Sequence, residues 1–182
     1  MKVKIHHIVP LFLLLFLLGN GMAFSQANNL VVIDQAFAQK EEVLSKLPYG
    51  TLVLYLKTTS NPWKDIREKM TLNPDLKNIH LFAESGHNSL LMGGIEYNTD
   101  TVASEFELAM LEGLYKGIHY QLLLYSCNLP SSPEGLDLIK ELGNRTYFNI
   151  AAATGCTGVF DENFDFNFTT LDQPTVGPIF TN

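Results

Sequence analysis

The chain is poor in the residues from which metal centres and nucleic-acid interfaces are built. It has two cysteines and five histidines in 182 residues. There is no CxxC and no nearby histidine pair beside a cysteine, so the usual zinc spacings are excluded, and no metal or cofactor is expected. Basic residues are few and never run together: 12 Lys and Arg stand against 19 Asp and Glu, a formal net charge of −7. A chain this acidic has no electrostatic footprint for nucleic acid or for an anionic membrane surface. No window repeats at a fixed period, which argues against a solenoid or propeller.

Long apolar runs are also missing, with one exception at the N-terminus. Lys2 and Lys4 precede an apolar stretch at 8–18, and Ala23-Phe24-Ser25 offers small residues at the −3 and −1 positions. That is the layout of a secretory signal peptide over 1–25, cut before Gln26; the run is shorter than the ~20 residues a membrane span needs. Contact with a membrane is thus expected only through this transient leader, and the protein is expected to be secreted, periplasmic or at the cell surface. Leader removal takes away Lys2 and Lys4 and moves the net charge from −7 to −9. Export also permits a disulfide, and two cysteines allow only Cys127–Cys156 within the chain. If the strands carrying them are neighbours, ~4.8 Å apart, that bridge is geometrically accessible; two free buried thiols are the alternative.

Residues 26–170 read as a single α/β domain and 171–182 as an irregular tail, where Pro174, Gly177 and Pro178 discourage regular structure. Short continuous apolar runs at 30–34, 51–57, 78–83, 118–125 and 147–153 have the look of buried parallel strands. Helical patterns lie between them. The clearest start is Asn61-Pro62, a cap residue before proline at the first helical position. A long helix is expected after Asn98, with Val102, Phe106, Met110 and Leu114 at helical spacing. Small hairpins are expected around Gly93-Gly94, after the third strand, and over 159–170, after the fifth. The alternation implies a mostly parallel five-stranded sheet flanked by helices on both faces, with flavodoxin-like strand order.

In such a sheet the functional crevice lies beyond the carboxyl ends of the strands, where the strand order reverses. The residues expected there are Asp34, Glu84, Ser85, Gly86 and His87, Cys127 with Asn128, and Gly155 with Cys156. His80 lies inside the third strand and reads as a core histidine. The run at 80–86, Leu91-Met92-Gly93, the segment 124–128 and Ala151-Ala152-Ala153-Thr154 with Thr157-Gly158 resemble an uncharacterised secreted bacterial domain. That domain is found near the N-termini of large adhesin-like proteins, and it is similar in turn to the caspase and gingipain clan of cysteine peptidases.

The resemblance implies a caspase-like architecture with a cysteine nucleophile after the fourth strand and a histidine base after the third. Cys127 matches the nucleophile, with Ser126 where the family has glycine; Glu84 falls where the histidine should be. A carboxylate near a thiol raises its pKa and is itself a feeble base for a group that titrates near ~8.5. The expectation is therefore a pseudoenzyme with a recognition or structural role, binding an unidentified protein or peptide through Asp34, Ser85, Gly86, Asn128 and Gly155. One alternative is a cysteine peptidase in which His87 folds back as base and Glu84 orients it. Another is a small-molecule or cation binder using Asp34 and Glu84.

Overall fold

Buried apolar segments form the parallel core: β1 (Asn29–Asp34), β2 (Leu52–Leu56), β3 (Asn78–Phe82), β7 (Gln121–Leu124) and β8 (Asn149–Ala152). Between β3 and β7 lie three short strands, β4 (Glu84–Ser85), β5 (Leu90–Met92) and β6 (Ile95–Tyr97). The helices are α1 (Lys40–Lys46), α2 (Pro62–Leu72), α3 (Thr99–Ser104), α4 (Phe106–Tyr115) and α5 (Pro133–Thr146); β9 (Phe168–Thr169) comes last. This computed structural model describes residues 28–117, 119–154, 157–162, 164–171 and 175–180. The expected leader, Gly155 and Cys156 lie outside the described residues.

The central sheet has the order β2-β1-β3-β7-β8-β9. It has six strands rather than the expected five, because β9 adds antiparallel to β8 through Ala151↔Thr169 and Ala152↔Phe168. The other pairings are parallel, with Val31, His80, Leu123 and Ala151 in one transverse row. The first crossover, β1 to β2, travels one way along the sheet, and all later ones travel the other way. Right-handed crossovers then place the helices on opposite faces. Val43 of α1 packs with Val31, Ile33 and Leu123 on one face. Residues of α2, α3, α4 and α5 pack with Leu30, Val32, Leu81 and Leu124 on the other.

The face with a single seven-residue helix needs further cover, and the C-terminal chain provides it. Phe164 and Phe166 are buried against Tyr125, with ring centroids 5.3 and 5.2 Å away. Val176, Ile179 and Phe180 pack on the same cluster. Two regions thus differ from expectation. Residues 159–167 form no hairpin among those described, because their aromatic rings are used to cover the sheet rather than to pair strands. Residues 175–180 are irregular yet docked: Val176 N donates to Gln121 Oε1 at 3.1 Å and Ile179 N to Tyr125 Oη at 2.8 Å.

The helix expected after Asn98 also departs from its pattern. Asn98 caps it with a reciprocal bond to Thr101, but the helix breaks at Glu105, which is extended (φ −72°, ψ 113°). Glu105 is held there by Asn61 Nδ2 at 3.2 Å and by Tyr97 Oη at 3.4 Å, and its carboxylate accepts from Glu107 N at 3.0 Å. The break resets the helical phase. Val102 is buried, yet Leu108 and Leu111 face the core in α4, while Phe106, Met110 and Leu114 face solvent.

Beneath the C-terminal cover sits His80, 1% exposed. Its Nδ1 lies 3.0 Å from Tyr125 Oη and its Nε2 3.4 Å from Asn29 Oδ1. Asn29 Oδ1 can only accept, and it also receives Asn78 Nδ2 at 2.8 Å. The ring is therefore the Nε2–H tautomer, and Tyr125 donates its proton to Nδ1 while accepting from Ile179 N. Burial pushes the His80 pKa down to about 4 and the Tyr125 hydroxyl pKa up. Between pH 4 and 6.5 the unfolded chain binds this proton and the folded chain does not, so stability falls as pH falls. His80 alone should remove about 2–3 kcal/mol between pH 7 and pH 4. Denaturant melts across that range should show the loss, with a shallower slope for His80→Gln.

Candidate functional site

The strand order reverses between β1 and β3, and the carboxyl ends of β1, β3 and β7 define the crevice. Alternation along the strands decides which side of the sheet each rim residue serves. Leu122 and Leu124 point to the four-helix face, and Ser126 follows them. Leu123 and Tyr125 point to the α1 face, and Cys127 follows, half-buried against that cluster.

On the four-helix side, Ser126 is buried and hydrogen-bonds through Oγ to Ser85 Oγ. Its Oγ also accepts from Leu129 N at 3.4 Å, and Asn128 Nδ2 reaches Ser85 O at 3.5 Å. Ser85, Ser126 and Asn128 thus tie the end of β3 to the end of β7. Gly86 N donates to Ser89 O at 2.9 Å, closing the turn that leads into β5. The next residue, His87, is exposed, and its carbonyl accepts from Ser132 Oγ. Ser132 is the cap of α5 and accepts in turn from Gly135 N at 2.9 Å. A Cβ on Gly135 would lie 2.5 Å from His87 O and 1.8 Å from Leu129 O, so only glycine admits this approach. His87 is therefore anchored against the first turn of α5, on the four-helix side. Among the described residues its ring makes no hydrogen bond or ion pair.

Glu84 and Cys127 belong to the other side. Glu84 Oε1 accepts from Ala38 N at 2.9 Å, in the loop between β1 and α1. Cys127 is disulfide-bonded. The chain has one other cysteine, Cys156, which with Gly155 lies outside the described residues. Glu84 is thus committed to Ala38, and the backbone of His87 to Ser132 at the start of α5. A bridged sulfur is also not a nucleophile, since attack requires a thiolate.

Asp34 is 2% exposed and fully engaged by backbone amides. Its Oδ1 accepts from Ala36 N at 2.7 Å and its Oδ2 from Gly93 N at 2.5 Å. Gly93 (φ +58°) and Gly94 (φ +75°) form the turn between β5 and β6, a left-handed pair suited to a two-residue hairpin. Asp34 therefore pins the small β4-β5-β6 sheet over the end of β1. It does not share a ligand with Glu84, whose carboxylate turns to Ala38. Among the described residues there is no group of three or more His, Cys, Asp and Glu able to hold a metal ion.

Of the expected residues, the structure joins Ser85 to Asn128 directly and gives Asp34, Glu84 and His87 different hydrogen-bond partners. Two residues outside that set, Ser126 and Ser132, make the decisive bonds. Ser126 is legible as the first small polar residue after a continuous apolar strand, and Ser132 as the cap before Pro133. Cavities of about 610 and 360 Å³ lie instead beside the C-terminal cover. The first is lined by Lys46, Phe160 and Phe180, the second by Asn29, His80 and Ile179; no expected site residue lines either.

A family model described as a domain of unknown function (DUF4347) matches residues 30–175. Neither the curated proteins nor the solved structures give a match. Asp34→Ala should cost about 2–3 kcal/mol, because it leaves two backbone donors short of their acceptor. The loss should be read as a lower denaturation midpoint, with faster amide exchange at Gly93 than elsewhere in the hairpin.

Proposed function

The chain belongs to this domain family of unknown function, and on that premise we propose that it is an exported, caspase-like but non-catalytic domain serving recognition or structure outside the cytoplasm. The observation that carries the proposal is the disulfide at Cys127, which leaves no thiol at the nucleophile position. Two features support it. The carboxylate of Glu84 stands where the peptidase resemblance calls for an imidazole, and it is committed to the Ala38 amide. His87 is tied by its backbone carbonyl to Ser132 at the start of α5.

The proposed partner of Cys127 is Cys156. Leu124 and Ala152 are in register on neighbouring parallel strands, and the two cysteines follow them by three and four residues. Adjacent strands lie ~4.8 Å apart, inside the Cα span of a disulfide. Closing a loop of about thirty residues this way stabilises by ~3–4 kcal/mol in the chain-entropy description. The α1 face carries one helix and relies on coil for the rest of its cover, and that is where a staple is most useful. A domain whose nucleophile position serves as a staple has its function in its surfaces.

Iodoacetamide at neutral pH should leave Cys127 unmodified until dithiothreitol is added, and purified protein should cleave no peptide from a random library. Alkylation without reductant that falls in His87→Ala would overturn the proposal. So would peptide cleavage abolished by Cys127→Ala.

A further inference from the structure

The two edges of the central sheet are finished differently. At one, β9 is only two residues long, which leaves little for another chain to pair with. The other is β2, Leu52-Val53-Leu54-Tyr55-Leu56, in unbroken register with β1 over all five residues. It has no charge, no proline and no bulge, the devices by which exposed edges are protected. Among the described residues no strand pairs with its far side.

In a parallel ladder alternate residues direct both backbone groups to the same neighbour. Leu56 O accepts from Gln35 N at 3.2 Å, so Leu52, Leu54 and Leu56 serve β1. Val53 and Tyr55 therefore turn N–H and C=O outward, and nothing among the described residues bonds those groups. A shallow cavity of about 370 Å³ follows this edge between Leu54 and Tyr55 on β2 and Leu72 on α2. Tyr55 and Leu72 are 46 and 79% exposed. Free backbone groups beside an apolar groove are a seat for an extended strand.

Register and charge say which strand. About a two-fold axis normal to the sheet through Leu54, β2 meets its own copy antiparallel. Val53 then exchanges both backbone bonds with Tyr55 of the other copy, a favourable β-branched–aromatic pair. Neighbouring registers are poorer. With Val53 on the axis, Tyr55 meets Thr51, whose N–H is already given to Pro48 O; with Tyr55 on the axis, Val53 meets Lys57. The same axis keeps each face of the sheet on its own side, so α2 lies antiparallel beside its mate. The charges of α2 that line the groove are Asp65, Glu68 and Lys69, and antiparallel helices bring Lys69 of each copy to the acids of the other. Lys69 has no ion pair among the described residues.

The remaining charges do not oppose this contact. Lys64 pairs with Glu68 at 3.9 Å, and Arg67 turns away from the edge to Glu107 at 2.7 Å. Lys57 falls at the two ends of the joint, opposite Thr51. On α1, Lys40 Nζ donates to Gln35 O at 2.8 Å and Lys46 pairs with Glu42 at 3.2 Å; Glu41 adds no pair of its own. We propose that this chain forms a two-fold dimer through the β2 edge, with Val53 of each copy bonded to Tyr55 of the other, so that two six-stranded sheets become one. The joint uses neither Cys127 nor the ends of β3 and β7, so it goes beyond the function proposed above and stands without it.

Sedimentation velocity and amide exchange on the mature form beginning at Gln26 test the proposal. A dimer is expected in the micromolar range, and the Val53 and Tyr55 amides should become protected as protein concentration rises. Tyr55→Lys puts the residue typical of protected edges on a half-exposed side chain. Val53→Pro removes an outward N–H and leaves the ladder to β1 intact. Each should raise the dissociation constant by about tenfold or more, as for residues central to an interface, and abolish the added protection. Tyr55→Lys decides alone if Val53→Pro does not fold. A chain that stays monomeric at 100 μM (on the order of the weakest useful self-association) overturns the proposal and leaves the edge to a strand of another protein. A dimer that leaves the Val53 and Tyr55 amides unprotected, or that is indifferent to Tyr55→Lys, overturns it as well.

Discussion

The handedness of the strand crossovers is the constraint from which the rest of this structure follows. One crossover leaves β1 in one direction and every later one leaves in the other, so among the described residues one face receives a single seven-residue helix and the opposite face receives four. A parallel sheet has to be covered on both faces. The chain meets that need with an aromatic segment after β8, whose Phe164 and Phe166 pack on Tyr125 and whose Phe180 lies 5.7 Å from Phe82. Coil has fewer internal hydrogen bonds than a helix, so this cover is fastened at discrete points. One is the relay Ile179 N–H to Tyr125 to His80, which requires a neutral imidazole in the core. The bridged Cys127 sits on the same face.

The two-residue period of a strand then divides the mouth of the sheet. Ser126 and Cys127 are adjacent in sequence and serve opposite faces, and the same holds for Ser85 and Glu84. A cysteine–histidine pair needs both partners on one side. Here the loop after β3 turns toward α5, and Ser132 with Gly135 holds His87 there. Glu84 in turn is committed to the Ala38 amide in the loop before α1. The backbone beside it has a structural duty, since the His87 carbonyl accepts from Ser132 at the start of α5.

Most of the parallel sheet is legible in the sequence because buried parallel strands are continuous apolar runs, and the runs at 30–34, 78–83 and 118–125 are hard to read otherwise. The helix starts at Asn61 and Ser132 are equally plain, since each sets a cap before proline. β9 is not legible: two residues, Phe168 and Thr169, pair at the sheet edge within an aromatic stretch whose period resembles a hairpin. The docking of 175–180 is hidden for a related reason, as Pro178 and Gly177 argue against regular structure without arguing against packing. At the site, Asp34 reads as an acid at the end of a strand, and its bond to Gly93 joins positions 59 apart in sequence. Local pattern carries no signal for such a contact.

The misread helix phase shows where the information was lost and what it reveals. Val102, Phe106, Met110 and Leu114 share one face only if the helix is continuous, and Glu105 interrupts it because Asn61 and Tyr97 compete for its carboxylate. After the interruption, Leu108 and Leu111 are sufficient to anchor α4 on the sheet, so the three large residues on the outside are surplus to the fold. Gly113, beside which a Cβ would meet nothing, weakens the helix relative to alanine.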